Sequence, residues 1–404
     1  MKGYILFNGN IQFEADFITK FRHLLLSSHH SDPIVRDSKK VLLITAAWQK
    51  REFHESHVKQ ALYNIGHKPI FQDGYDQNTQ NLSIYHDFMT FKKEEHDLHA
   101  FYHSKQKLIQ KVKEFYREKN SGLISILQKQ VKNLKKTFRH ITLHQILSYE
   151  VKENYSEITD FNQYQLLYHY ACQDIQNTMQ KIKENDTLMT KVCKEIDDYF
   201  FINSKISENK TYNILRERLK QRILSSNSVF IFGGHVAVLY NRLNFFKLKD
   251  TFVEALNRGT NFYTISAGSM SLCDNIIVFD DNSKEWASSS NMYDFEYFDL
   301  GFGLVKKVQI FPHCKDYIHM KDPETISYTA HRFDKSLCVG LDQNSFLLLE
   351  TYEENGKEYE RFTSVGKEEG LYLFNKNGSI HVTKYGEELA LEGTKLYELK
   401  NKSV

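Results

Sequence analysis

Apolar residues along this chain change their spacing twice. Near the start, short runs of strand type, "YILFN" at 4–8, "KVLLITAA" at 40–47 and "KPIFQDG" at 68–74, alternate with amphipathic stretches such as "EADFITKFRHLLL" at 14–26 and "ESHVKQALYNIG" at 55–66. The second stretch ends on Gly66, as helices commonly do. This alternation predicts an α/β unit with a largely parallel sheet. From 77 to 222 the texture is different: one glycine, Gly122, no proline, and a helical period in which Leu127, Val131, Leu134, Phe138 and Ile141 fall on one stripe. A bundle of long helices is expected there. After 222 the first texture returns, with strands in "SVFIFGG" (228–234), "TNFYTIS" (260–266) and "NIIVFDD" (275–281) and a helical stretch at 238–259. Hairpin signals such as "KNGS" at 376–379 predict that the chain closes in β-structure. The pattern therefore divides into 1–76, the first part of an α/β domain, 77–222, a helical insertion, and 223–404, the second part with its β-rich end.

Composition narrows the class without naming a partner. The chain has 404 residues and a formal net charge of +2, enough for a large core and too balanced to indicate a polyanionic ligand. No segment approaches the ~18 uninterrupted apolar residues of a membrane span, and the first apolar run is too short for a secretory signal. A cytoplasmic protein is expected. Five scattered cysteines without a Cys-x-x-Cys pair indicate buried reduced thiols rather than disulfides or zinc. Between Lys105 and Arg139 eleven lysines and arginines face only Glu114 and Glu118. No aromatic interleaving accompanies them, so nucleic acid is not the favoured partner, and a solvated helix face, an acidic surface or the rim of a cleft are the readings left. His140 and His144 have metal-compatible spacing but no evident third ligand.

The chemistry is concentrated after residue 230. In "NFYTISAGS" (261–269) a strand ends on Ser266 and turns through Ala267 and Gly268. Ser266 either caps the next helix or is a nucleophile on a sharp strand-to-helix turn, where its hydroxyl is exposed beside free helix N–H groups. A serine nucleophile needs a base, a group to orient that base, and donors for an oxyanion. "FGGH" (232–235) offers backbone N–H groups at a strand end, Asp280 and Asp281 end another strand, and His313 follows Pro312 in "FPHCKDY". Were these at the carboxyl ends of neighbouring parallel strands, they would meet in one crevice.

These motifs resemble the serine peptidases of the dipeptidase E and cyanophycinase type, whose fold is similar to that of class I glutamine amidotransferases. "GGHVAVLYNRL" (233–243) resembles the family's Gly-Gly-Asn segment and following helix, "SAGS" its nucleophile turn, and "PHCKDY" (312–317) its Pro-His-x-x-Asp-Tyr stretch. "FDD" (279–281) stands where the family has its acid, and "GLDQNSFLLLE" (340–350) resembles a strand pair near its C-terminus. The similarity covers about 1–75 and 223–404 and leaves out the helical stretch. Here Thr264 replaces a glycine and His235 an asparagine of the family pattern.

The resemblance implies a three-layer, mostly parallel α/β fold of the class I glutamine amidotransferase kind carrying a large helical insertion. It implies Ser266 as nucleophile, His313 as general base and then acid, and Asp281, with Asp280 as its rival, as the orienting acid. Backbone N–H groups of Gly234 and Ala267 would form the oxyanion hole, and His235 and Arg332 are candidates for substrate contact. The expected activity is hydrolysis of small peptides or amides through an acyl-enzyme, which calls for neither a metal nor an organic cofactor. The alternative is a degenerate scaffold that binds and assembles through its helices. Those helices, with their repeated apolar stripe, are expected to make the protein a homo-oligomer, a dimer in the simplest case.

Overall fold

The structure, a computed structural model, describes residues 2–9, 19–151, 163–279, 295–343, 345–354, 357–365, 370–389, 391–392 and 395–396. Its centre is an eight-stranded sheet. The strands, numbered along the chain, are β1 (Ile5–Asn8), β2 (Val41–Ile44), β3 (Thr79–Asn81), β4 (Ser228–Ile231), β5 (Asn261–Ile265), β6 (Asn275–Phe279), β7 (Phe295–Leu300), β8 (Val308–Pro312), β9 (Leu337–Leu341), β10 (Phe346–Glu354), β11 (Lys357–Ser364), β12 (Tyr372–Phe374), β13 (Ile380–Val382) and β14 (Glu388–Leu389). The large sheet runs β14-β11-β10-β1-β5-β4-β2-β3. β1, β5, β4, β2 and β3 pair in parallel, and β10, β11 and β14 extend the edge antiparallel.

Strand residues point alternately to the two faces, and both faces are covered. Ile5, Phe7, Leu42, Ile44, Val229 and Ile231 join one apolar cluster, whereas Leu6, Val41, Leu43, Phe230 and Tyr263 join another. The second cluster is closed by Val58 and Leu62 of α1 (Ser56–Asn64). That two-sided burial is why these strands read as unbroken apolar runs. The fold is the expected mixed α/β architecture with a long helical region and a β-rich end.

Two strand expectations need correction. "KPIFQDG" does not enter the sheet: Phe71–Gln72 pairs only with Tyr75–Asp76, and Phe71 is exposed. Asp73 and Gly74 both have positive φ, so the Asp-Gly pair makes a tight hairpin, and Thr79–Asn81 takes the place beside β2 instead. β6 and β8 also lie outside the large sheet. β6 pairs antiparallel with β7, and β8 pairs in parallel with β9 in a second sheet completed by β12 and β13.

The helical region contains α2 (Ile84–Glu94), α3 (His96–Thr137), α4 (Leu143–Leu147), α5 (Gln163–Asn203) and α6 (Lys210–Leu224). α3 and α5 run antiparallel, because Lys105 meets Asp197, Asn120 meets Asp186 and Gln130 meets Asp174. Leu127, Val131 and Leu134 are buried between them and the second sheet, with Phe138 and Ile141 packed alongside. After α6 come α7 (Val236–Phe245), α8 (Lys249–Asn257), α9 (Ala267–Leu272) and α10 (Pro323–Arg332). No helix among the described residues is long and apolar enough to cross a membrane, and the five cysteines are free and buried.

Buried charge fastens the long helices to the rest. Asp197 of α5 accepts from Lys105 of α3 and from Lys247, which lies between α7 and α8. Asp186 of α5 takes Arg332 of α10 in a two-pronged pair, with both N–O distances 2.9 Å. Truncating one member of such a pair strands a buried charge. Asp186→Ala is therefore expected to lose roughly 3–5 kcal/mol of unfolding free energy, read by urea denaturation. A loss below about 1 kcal/mol, the range of exposed pairs, would show that the Arg332 pair is not a fastening.

Candidate active site

The site begins at the end of β5. Ser266 has φ 52° and ψ −113°, a region that costs a residue with a side chain roughly 1–3 kcal/mol. The turn is held from three sides. Its N–H donates to Asn8 O at the end of β1 (3.1 Å), and its carbonyl accepts from Ser269 and Met270 as α9 starts. The small neighbours are explained by contact. A Cβ at Gly268 would stand 2.2 Å from Ile231 O, and one at Gly233 would stand 2.7 Å from the Ser266 Cβ. Thr264, bulkier than the family pattern, is accommodated because its hydroxyl bonds Leu6 O (3.3 Å) and the Ser269 hydroxyl (2.9 Å).

His313 arrives from the second sheet, one residue after β8, with its own positive φ of 53°. Its Nε2 lies 2.7 Å from the Ser266 Oγ, so the hydroxyl can donate directly to the ring. The expectation that these residues end neighbouring strands of one parallel sheet is thus wrong in route: α9 packs against β8 and brings the two sheets' ends together. Ser266 is half-buried and His313 buried. The cysteine after His313 does not compete as a nucleophile, since burial drives the Cys314 thiol pKa upward. Burial likewise pushes Cys273 up to about 12.

Opposite the serine, β4 runs into Phe232, Gly233 and Gly234. Gly234 has φ 127°, which favours glycine. The Trp48 indole donates to Gly233 O at 3.1 Å. Because carbonyl and N–H point oppositely across a trans peptide, this bond directs the Gly234 N–H away from Trp48. Among the described residues, the N–H groups of Gly234 and Ala267 enter no backbone hydrogen bond. Trp48, which no motif in the sequence singled out, thus orients the Gly233–Gly234 peptide; a tryptophan just past the end of a buried strand was the available signal. The loop that carries it is fixed by Glu52, whose carboxylate accepts from Tyr85 N and His86 N at 2.8 Å each. Burial raises the Glu52 pKa to about 7.

The remaining candidates divide. His235 is exposed and caps α7, its Nδ1 accepting from Val238 N at 3.3 Å. Arg332 is corrected from a substrate contact to a structural cation, because it is buried and its guanidinium is given to Asp186 and Tyr328. Asp280 and Asp281 lie outside the described residues. His144 faces His331 at 3.2 Å, and no metal-holding group of three ligands occurs among the described residues.

Comparison with known proteins adds one assignment. The model of peptidase family S51 matches residues 182–355, a stretch that contains Gly233, Gly234, Ser266 and His313. No curated protein sequence matches the chain. Among solved structures, the crystal structure of a peptidase from an acI-B1 Actinobacterium aligns over 97% of this chain and 98% of its own, at 12% identity and a TM-score of 0.44.

The packing around the turn makes a sharp expectation. Gly268→Ala should lower stability by roughly 1–3 kcal/mol, the usual cost of overpacking, because the methyl meets a backbone carbonyl. Gly122→Ala in α3, where a Cβ meets nothing within 4 Å, should be neutral or stabilising by up to ~1 kcal/mol. Thermal denaturation of the two variants checks this, and equal stabilities would contradict the packing of the turn.

Proposed function

We propose, from the premise that residues 182–355 belong to peptidase family S51, a family of serine peptidases, that this chain hydrolyses small peptides or amides with Ser266 as nucleophile and His313 as general base. The observation that carries the reading is the 2.7 Å contact between Ser266 Oγ and His313 Nε2, on a turn whose backbone is held in a disfavoured conformation.

In the first half of the reaction His313 Nε2 takes the hydroxyl proton as Oγ attacks the substrate carbonyl carbon. The carbonyl oxygen, now an oxyanion, is met by the N–H groups of Gly234 and Ala267. His313 then gives its proton to the amine nitrogen, the C–N bond breaks, and an ester to Ser266 remains. In the second half His313 takes a proton from water, hydroxide adds to the ester carbon, and collapse returns the proton to Oγ. Asp281 is the acid assigned to orient the His313 ring, with Asp280 as the alternative. His235, exposed and next to Gly234, is the residue proposed to touch the substrate. Protons move only among the serine, the histidine, the substrate and water.

A scaffold that only binds or assembles through its long helices is the second reading, and the expected dimer belongs to either. The direct Ser266–His313 contact favours the enzyme, since association through the helices does not require it. Hydrolysis of a dipeptide and tripeptide library by the full chain tests the choice. Ser266→Ala and His313→Ala should each lower turnover by roughly three or more orders of magnitude with unchanged circular dichroism. In the parent chain, activity should rise with pH through about 6 to 7 as the imidazole loses its proton. Undiminished hydrolysis in Ser266→Ala would remove the serine from the mechanism.

A further inference from the structure

A cleft of about 1010 Å³ opens between the helical region and the start of α7. It begins at His235, two residues from the Gly233 that abuts Ser266. Its far wall is one face of α3 from His99 to Arg117. At ~1.5 Å per residue that wall is about 27 Å long, the length of roughly eight residues of extended peptide. α3 lies outside the stretch matched by the family model, so this wall is a feature of the chain's own helical region.

The charge on the cleft is strongly one-sided. Lys50, Lys92, Lys107, Lys113, Arg117 and Arg242 line it, against the single carboxylate of Glu114. Lys113 is matched by Asp299, and Glu114 accepts from the Gln110 amide. Among the described residues none of Lys50, Lys92, Lys107 and Arg242 has a carboxylate within ion-pair reach. Arg242 is the most telling of these. Its guanidinium lies 3.6 Å from the centre of the Phe88 ring, and its buried Nε has no hydrogen-bond partner among the described residues. A cation drawn from water onto an aromatic face without a counter-charge is costly, and an incoming anion offsets that cost. His99 responds to the same field: burial first, then Lys92, His103 and Arg242, hold its pKa below the ordinary value.

A compact anion would be gripped by a few converging donors. Here the cations are instead spread over the length of the cleft, Lys107, Lys113 and Arg117 on α3 and Lys50, Lys92 and Arg242 on the elements across from it, with His235 as the lining residue next in sequence to the serine turn's Gly234. We propose that the cleft is an extended subsite for the acidic side chains of a peptide several residues long, whose chain leads from Ser266 along α3. The inference rests on the reading of Ser266 as nucleophile for where the peptide leads, but its test does not depend on cleavage.

The test uses the full chain carrying Ser266→Ala, so that peptides bind without turnover. Fluorescein-labelled hexaglutamate and hexaserine are titrated by anisotropy at low and high salt. Hexaglutamate should bind, weaken as salt rises, and outcompete hexaserine by at least about tenfold. Charge reversal at the exposed positions, Lys50→Glu with Lys92→Glu and Lys107→Glu, should weaken it by roughly tenfold or more with the circular dichroism unchanged. Arg242→Gln should also weaken it, and the surface triple variant covers the case in which that substitution impairs folding. Absence of hexaglutamate binding, or binding indifferent to the triple variant, overturns the proposal. So does tighter binding of tripolyphosphate or of a single-stranded oligonucleotide with no binding of hexaglutamate. Chemical labelling of Ser266 in the parent chain reports the nucleophile separately, so failure of one reading is not mistaken for failure of the other.

Discussion

The backbone of Ser266 is the constraint on which the site depends. A residue with a side chain is held at φ 52°, and the local cost of roughly 1–3 kcal/mol must be met by what surrounds it. Asn8 O fixes the serine N–H, α9 begins at once on its carbonyl, and Gly233 and Gly268 keep clear the space that any Cβ would fill. β1, β4 and β5 are adjacent parallel strands, so the three elements that hold the turn are set by the centre of the sheet. The hydroxyl is thereby fixed relative to the fold, and His313 can meet it from a different sheet.

The long helices pose a separate physical problem, since they present charge at the places where they dock. Lys105, Asp197 and Lys247 place one carboxylate between two ammonium groups, and Tyr102, Phe200 and Phe201 face the lysine heads. Arg332, Asp186, Asn120 and Asn185 form a second connected network. Such networks add little net stability over apolar packing, yet they are expensive to misalign. They therefore specify register between α3, α5 and the α/β part more than they stabilise it. The same register fixes which face of α3 lines the cleft.

Much of this was legible in the sequence, for identifiable reasons. β1, β2, β4 and β5 are buried on both faces and so read as continuous apolar runs, and the Ser-Ala-Gly-Ser turn carries its steric requirement in its composition. "KPIFQDG" has the apolar content of a buried strand, but its Asp-Gly turn makes it an exposed hairpin. Thr79–Asn81, a strand of polar residues buried beside β2, has no apolar signal to find. Arg332 read as a candidate for substrate contact because its partner Asp186 is 146 residues away. Sheet membership was equally hidden: nothing local tells β8 to join β9 rather than β5. The role of Trp48 depends on one hydrogen bond to a backbone carbonyl 185 positions on, which no spacing reveals.

The central claim is that the fold activates one hydroxyl through one imidazole. Treatment of the full chain with a fluorophosphonate, followed by peptide mapping, tests it most directly. The account predicts a covalent adduct on Ser266 alone, formed at a rate that falls at least about a hundredfold in His313→Ala, the loss expected when a general base is removed. No adduct, an adduct on another residue, or labelling of Ser266 that proceeds equally well without His313 would contradict it.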